Sequence, residues 1–175
     1  MLKRLFKPRE EVVAGRDLYA LIVAQARTPA LYADLGVADT PEGRFELYSL
    51  HVYLVLERLK GQGARASDTA QALFDTYISS LDHALRELGV GDVSVGKKMR
   101  KLGEAFYGRV KSLEEALAAL PDRAPLEAVL ARTAYEGGAT EKAPALADYF
   151  LAQRHALSAQ EVDSICDGAV TWTAP

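Results

Sequence analysis

The sequence predicts an all-α fold: a single-domain helical bundle with a central antiparallel helix hairpin. Apolar residues recur at helical spacing over almost the whole chain. No segment alternates apolar and polar residues for more than four positions, so the strand period is missing. Proline and glycine punctuate the helical pattern at intervals that leave only short connections.

The first helix is predicted over 9–27, with Val12, Val13, Leu18, Tyr19, Ile22 and Val23 on its apolar side. Thr28-Pro29 interrupts it, because the proline ring disfavours helical angles at the residue before it. Pro29 then opens a short helix to Leu35. Next, Leu35-Gly36-Val37-Ala38-Asp39 reappears later as Leu88-Gly89-Val90-Gly91-Asp92. Each copy reads as a helix stop and a helix start. Glycine takes the left-handed position, valine packs back on the finished helix, and aspartate caps the next. Thr40-Pro41-Glu42 adds a cap, a proline at the first helical position and an acid near the positive helix end.

The second long helix is predicted over 41–60. It is apolar nearly all round, from Phe45 through Leu47, Tyr48, Leu50, Val52, Tyr53 and Leu54 to Leu59, and so belongs at the centre. Gly61 to Arg65 form a turn. A third helix follows over 67–88, with Leu73, Phe74, Tyr77, Ile78, Leu81, Leu85 and Leu88 on one face. A fourth covers 95–120, broken by Pro121 and Pro125, and shorter helices are predicted at 126–135, 141–157 and 158–167. Residues 1–8 read as a flexible basic segment, 9–170 as one all-α domain and 171–175 as a loose tail.

Composition narrows the function classes. The 175 residues, 49% of them apolar, suffice for one buried core. Cys166 is the single cysteine, which excludes an internal disulfide and a thiolate-rich metal site. No run of about 18 uncharged apolar residues is present to span a membrane, and the basic N-terminus lacks the apolar core of a signal peptide. A reduced, cytoplasmic setting is expected. A net charge of −3 argues against sequence-specific nucleic-acid binding. The charge is uneven: residues 1–111 carry +3 and residues 112–175 carry −6. An anionic partner should therefore favour the first two thirds.

No catalytic set, metal site or cofactor site emerges. Gly91 to Lys97 fits the spacing of a phosphate-binding loop, but Lys98 stands where Ser or Thr would hold magnesium, and a helix precedes it where a strand should. His51, His83 and His155 lack metal-ligand spacing, and His51 in its apolar helix reads as a core histidine. Cys166 has no basic neighbourhood and reads as an inert thiol.

Two charged stripes stand out. Arg44, His51 and Arg58 recur every seven residues on the second long helix, as do Asp68, Asp75 and Asp82 on the third. Folding about a midpoint near residue 63 brings Arg58 to Asp68, His51 to Asp75 and Arg44 to Asp82. Two readings stay open: independent solvated stripes, or cross-hairpin pairs that fix the register. The fourth helix supplies a candidate partner-binding face of Lys97, Lys98, Arg100, Lys101, Phe106, Tyr107 and Arg109, with a solvated basic face as the plainer reading. Gly103 and Gly108 within it are costly in a helix and call for a close neighbour or partner. Leu2, Leu5 and Phe6 interleave with Lys3, Arg4, Lys7 and Arg9, a pattern that predicts weak, reversible contact with an anionic membrane surface.

The phrases Arg27-Thr-Pro-Ala-Leu-Tyr32-Ala-Asp-Leu-Gly36-Val-Ala-Asp39-Thr-Pro-Glu-Gly43-Arg44-Phe45, Leu73-Phe74-Asp75, Leu85-Arg86-Glu87-Leu-Gly89-Val-Gly91-Asp92, Val95-Gly96-Lys97 and Phe106-Tyr107-Gly108-Arg109 resemble the ubiquinol–cytochrome c chaperone family, as does His51 in its apolar helix. The resemblance covers about residues 15–120. It implies an all-helical, non-enzymatic assembly factor. Relatives in mitochondria help newly made cytochrome b mature into ubiquinol–cytochrome c reductase, respiratory complex III, with a small partner protein and near the ribosome. The chain has no obvious mitochondrial presequence, so a bacterial member is expected, cytoplasmic or peripheral on the inner membrane, with cytochrome b or another complex III subunit as client. The family supplies no catalytic residues to transfer. Two other readings compete. One is a helical binder of a lipid or quinone, suggested by the all-round apolar second helix. The other is an enzyme with His51, Asp75 and Asp82 in a cleft. The oligomeric state is left open.

Overall fold

Helix boundaries fall where proline, glycine and threonine place them. The computed structural model describes residues 9–135 and 138–175, and the regular structure among them is helical. The elements are α1 (Glu10–Ala26), α2 (Pro29–Ala33), α3 (Pro41–Leu59), α4 (Ala64–Glu87), α5 (Asp92–Ala118), α6 (Ala124–Ala134), a short 3-10 turn (Thr140–Lys142), α7 (Ala143–Ser158) and α8 (Val162–Cys166). The basic segment at 1–8 lies outside the described residues. α4 begins three residues earlier than predicted because Gly63, at φ +98°, reverses the chain at once.

Both repeated phrases turn at their glycine, with φ +72° at Gly36 and +79° at Gly89. The second copy closes α4 with paired hydrogen bonds: Gly89 N–H donates to the Arg86 carbonyl at 3.0 Å and Val90 N–H to the Leu85 carbonyl at 3.1 Å. The aspartates do not cap. Thr40 caps α3, its hydroxyl accepting from Gly43 N–H at 3.1 Å, while Asp39 turns to Arg44. Asp92 already lies inside the first turn of α5 and pairs with Arg86. The glycine-lysine spacing at 91–97 is thus a helix start, with no loop to cradle a phosphate.

α3 is buried on nearly every side and packs against α1, α4, α6 and α7. α4 packs most extensively on α1. The two helices cross at Gly15, where an added Cβ would stand 2.6 Å from the Ala72 carbonyl carbon. The buried side of α1 is therefore Ala14, Gly15, Leu18, Ile22 and Ala26, rotated from the predicted one, and Val13 is exposed.

α3 and α4 form the predicted hairpin in the predicted register, but through other residues. The hydroxyls of Ser49 and Tyr77, each fourteen residues from Gly63, meet at 2.8 Å. The charged stripes do not pair, because their side of α3 looks away from α4. Arg58 donates to the Leu157 and Gln160 carbonyls at 3.0 and 2.7 Å, closing the end of α7. Arg44 pairs with Asp39 at 2.7 Å. Asp82 accepts from Arg86 and Asp75 from Gln71, both at 2.7 Å and within α4. Asp68 lines an open cleft between α1 and α4, which Arg9, Arg16 and Asp75 also line.

The tail is also corrected, since residues expected to be loose are docked. Gln153 and Thr173 exchange hydrogen bonds: Gln153 Nε2 donates to the Thr173 carbonyl at 2.8 Å, and Thr173 N–H donates back to Gln153 Oε1 at 2.9 Å. Gln25 donates to the same carbonyl at 3.0 Å, and Trp172 packs edge-on against the His51 ring at 5.1 Å. Polar Gln25 and Gln153, each on an apolar helix, gave little sign of this role.

Candidate functional site

The residues predicted for a partner surface separate into two sets. Lys97, Lys98, Arg100 and Lys101 are exposed on the first half of α5, and Tyr107 is 61% exposed. Phe106 and Arg109 turn inward. Phe106 is 2% exposed and packs against Phe74 and Tyr77, each at a centroid distance of 5.5 Å. Arg109 makes a two-pronged ion pair with the enclosed carboxylate of Glu46 on α3, lies over the Phe45 ring at 5.4 Å and donates to the Ala105 carbonyl at 3.0 Å. A fork of two hydrogen bonds holds α5 at a set angle against α3, and a lysine's point charge would not reproduce it. These two residues shape the surface from behind.

In front of them α3, α4 and α5 meet along an open groove of about 430 Å³. Its apolar walls come from Leu56, Phe74, Tyr107 and Val110, and the Lys60–Glu114 ion pair at 2.7 Å edges it. Tyr53 borders both this groove and a narrow cavity of about 10 Å³ beside Glu46 and Arg109. The Tyr53 ring is enclosed, and its hydroxyl has no hydrogen-bond partner. Burial, then the Glu57 and Glu114 charges, push its pKa up, so it stays a neutral donor. A buried hydroxyl without an acceptor is uncommon, since leaving one unpaired costs about 1–3 kcal/mol. Sequence reasoning missed Leu56, Phe74 and Tyr53 as a group. The available signal was that neighbouring Leu73 and Phe74 cannot both face the same core.

His51 belongs to the interior. Its Nδ1–H donates to the Leu47 carbonyl at 2.7 Å, and its Nε2 accepts from the Tyr149 hydroxyl at 2.7 Å. That hydroxyl accepts in turn from Gln25 at 2.9 Å, and burial raises its own pKa to about 12. Desolvation lowers the His51 pKa to about 4, with the Leu47 carbonyl opposing. His51 is thus neutral and enclosed on the far side of α3 from α4. It shares no cleft with Asp75 and Asp82, so the constellation suggested for an enzyme does not assemble. Nor does the narrow cavity beside Tyr53 offer room beyond about one water, too little for a quinone or lipid. Among the described residues no group of three or more His, Cys, Asp or Glu could hold a metal ion, and no helix is long and apolar enough to cross a membrane.

Comparison with known proteins adds what geometry alone does not. The family model for the ubiquinol-cytochrome C chaperone matches residues 33–172. The crystal structure of the Cbp3 homolog from Brucella abortus is similar over 99% of this chain and 97% of that chain, with 36% sequence identity and a TM-score of 0.86. The ubiquinol-cytochrome-c reductase complex assembly factor 1 of Xenopus laevis is 22% identical over 105 residues, 60% of this chain and 52% of that protein. The chain thus spans about half the length of the curated relative that it matches.

Proposed function

The chain belongs to the ubiquinol–cytochrome c chaperone family, and from that premise we propose that it is a non-enzymatic assembly factor that binds newly made cytochrome b, or a related subunit, during biogenesis of respiratory complex III. The observation that carries client binding is the open apolar groove where α3, α4 and α5 meet, with exposed Tyr107 on its wall. A client segment laid along it covers Phe74 and Tyr107 and buries their apolar surface. Lys97, Lys98, Arg100 and Lys101 continue from the Tyr107 end as the charged part of the surface. Arg109 and Phe106 act indirectly, by holding α5 in place. The separation of His51 from Asp75 and Asp82 supports a binding role over an enzymatic one.

Affinity capture from the native host tests this reading, with a photo-crosslinking amino acid in place of Tyr107. Its exposure lets the fold accept the change. Crosslinked cytochrome b, identified by mass spectrometry, is the expected product. Recovery of soluble enzymes alone would overturn the reading.

A further inference from the structure

We propose that the corner between α4 and α5 docks on an anionic lipid surface. Leu88 and Val93 flank this corner and are 67% and 97% exposed, which places both at a protrusion. The inward side of α5 is taken by Val95 and Phe106. Helical spacing then puts Val93, Lys97, Arg100 and Lys101 within an arc of about 100° on the opposite side, with Lys98 about 60° beyond its edge. None of these four cations makes an ion pair or a side-chain hydrogen bond among the described residues.

The nearby carboxylates sit with Arg86 and His83 rather than with the cations of α5. Arg86 takes both Asp82 and Asp92, and His83 lies 3.2 Å from Glu87. Glu104 is the one acid on the outer arc of α5 in this stretch. The corner thus presents Leu88 and Val93 beside exposed Glu87 and Asp92, with unpaired positive charge on the shaft behind. The helical rise sets Lys97 about 6 Å and Lys101 about 12 Å behind Val93 along the axis. With the tip sunk at the headgroup boundary, these cations meet lipid phosphates. A protein partner for so exposed a tip would have to bring its own pocket, whereas a bilayer interface needs none. The contact differs from the one predicted for residues 1–8 and does not depend on the identity of the client.

The test uses purified full-length chain in flotation with vesicles of phosphatidylcholine alone or mixed with phosphatidylglycerol. Two variants accompany it, Leu88→Ser with Val93→Ser and Lys97→Glu with Lys101→Glu. All four positions are exposed, and circular dichroism checks that both variants fold. The unaltered chain is expected to float with the anionic vesicles only, less so as salt rises, and each double variant to lose about tenfold or more in vesicle affinity. Equal binding to neutral vesicles, no binding at all, or undiminished binding by either folded variant would overturn the proposal. Capture of cytochrome b in detergent by the serine variant separates the two functions. Retained capture with lost flotation supports a lipid contact, and lost capture with intact flotation makes the corner a protein surface instead.

Discussion

A buried neutral histidine ties stability to pH through one side chain. Desolvation holds the folded-state pKa of His51 at about 4, whereas an unfolded chain titrates near 6.5. Between these values the unfolded state binds the extra proton, so stability is complete above the upper one and falls as pH drops toward the lower. At pH 5 the loss attributable to His51 is about 2 kcal/mol. Urea unfolding at neutral pH and at pH 5 measures it, and His51→Gln should remove that share of the difference. Gly15 acts by close approach. A methyl group there would collide with the α4 backbone at Ala72 and Leu73, which cannot move as a side-chain end can. Gly15→Ala should therefore cost about 2 kcal/mol or more, seen as a lower midpoint in the same titration. Nothing in the sequence around Gly15 distinguishes it from a tolerated helix glycine, because the partner that makes it necessary lies more than fifty residues away.

Among elements, α5 carries helix glycines that no neighbour requires. Cβ atoms built at Gly96, Gly103 and Gly108 meet nothing within 4 Å, so the close backbone approach expected for Gly103 and Gly108 is not made among the described residues. Each glycine-to-alanine change should raise stability by about 0.5–1 kcal/mol, opposite in sign to Gly15→Ala. A stabilised Gly103→Ala variant with weaker client capture would locate the cost of these glycines at a partner surface. The helix ends were legible because their causes are local: Thr40, Pro41 and Gly89 act on the residues beside them. Which faces meet is not local. The hairpin register could be read, yet the pair that realises it is Ser49–Tyr77, since a helix apolar all round does not say which side takes which neighbour. The tail was illegible for a related reason. Its anchors are amide exchanges with Gln153 and Gln25, which carry no hydropathy signal.

For the molecule as a whole, the candidate site was half legible. Long cations on the polar arc of α5 stay outside, as their spacing implies, and Phe106 falls eleven residues after Val95 on the same inward arc, a signal present in the sequence. The Glu46–Arg109 pair and the groove were not legible, because each joins helices far apart in the chain. The groove permits a test that leaves core, corner and stripe untouched. Ser67 is exposed on its α4 wall, near Leu56 and Phe74 but away from the α4–α5 corner. A tryptophan there has room to lie over the apolar floor and occupy the space proposed for the client. Ser67→Trp should leave the unfolding midpoint within about 0.5 kcal/mol of the unaltered chain, as expected of a surface change. Vesicle flotation should also be unchanged, while capture of cytochrome b falls by about tenfold, the loss of roughly one anchoring contact of 1.4 kcal/mol. Undiminished capture by the folded variant would move the client away from the groove and onto the outer face of α5, where Lys97→Glu with Lys101→Glu would then show the loss in detergent.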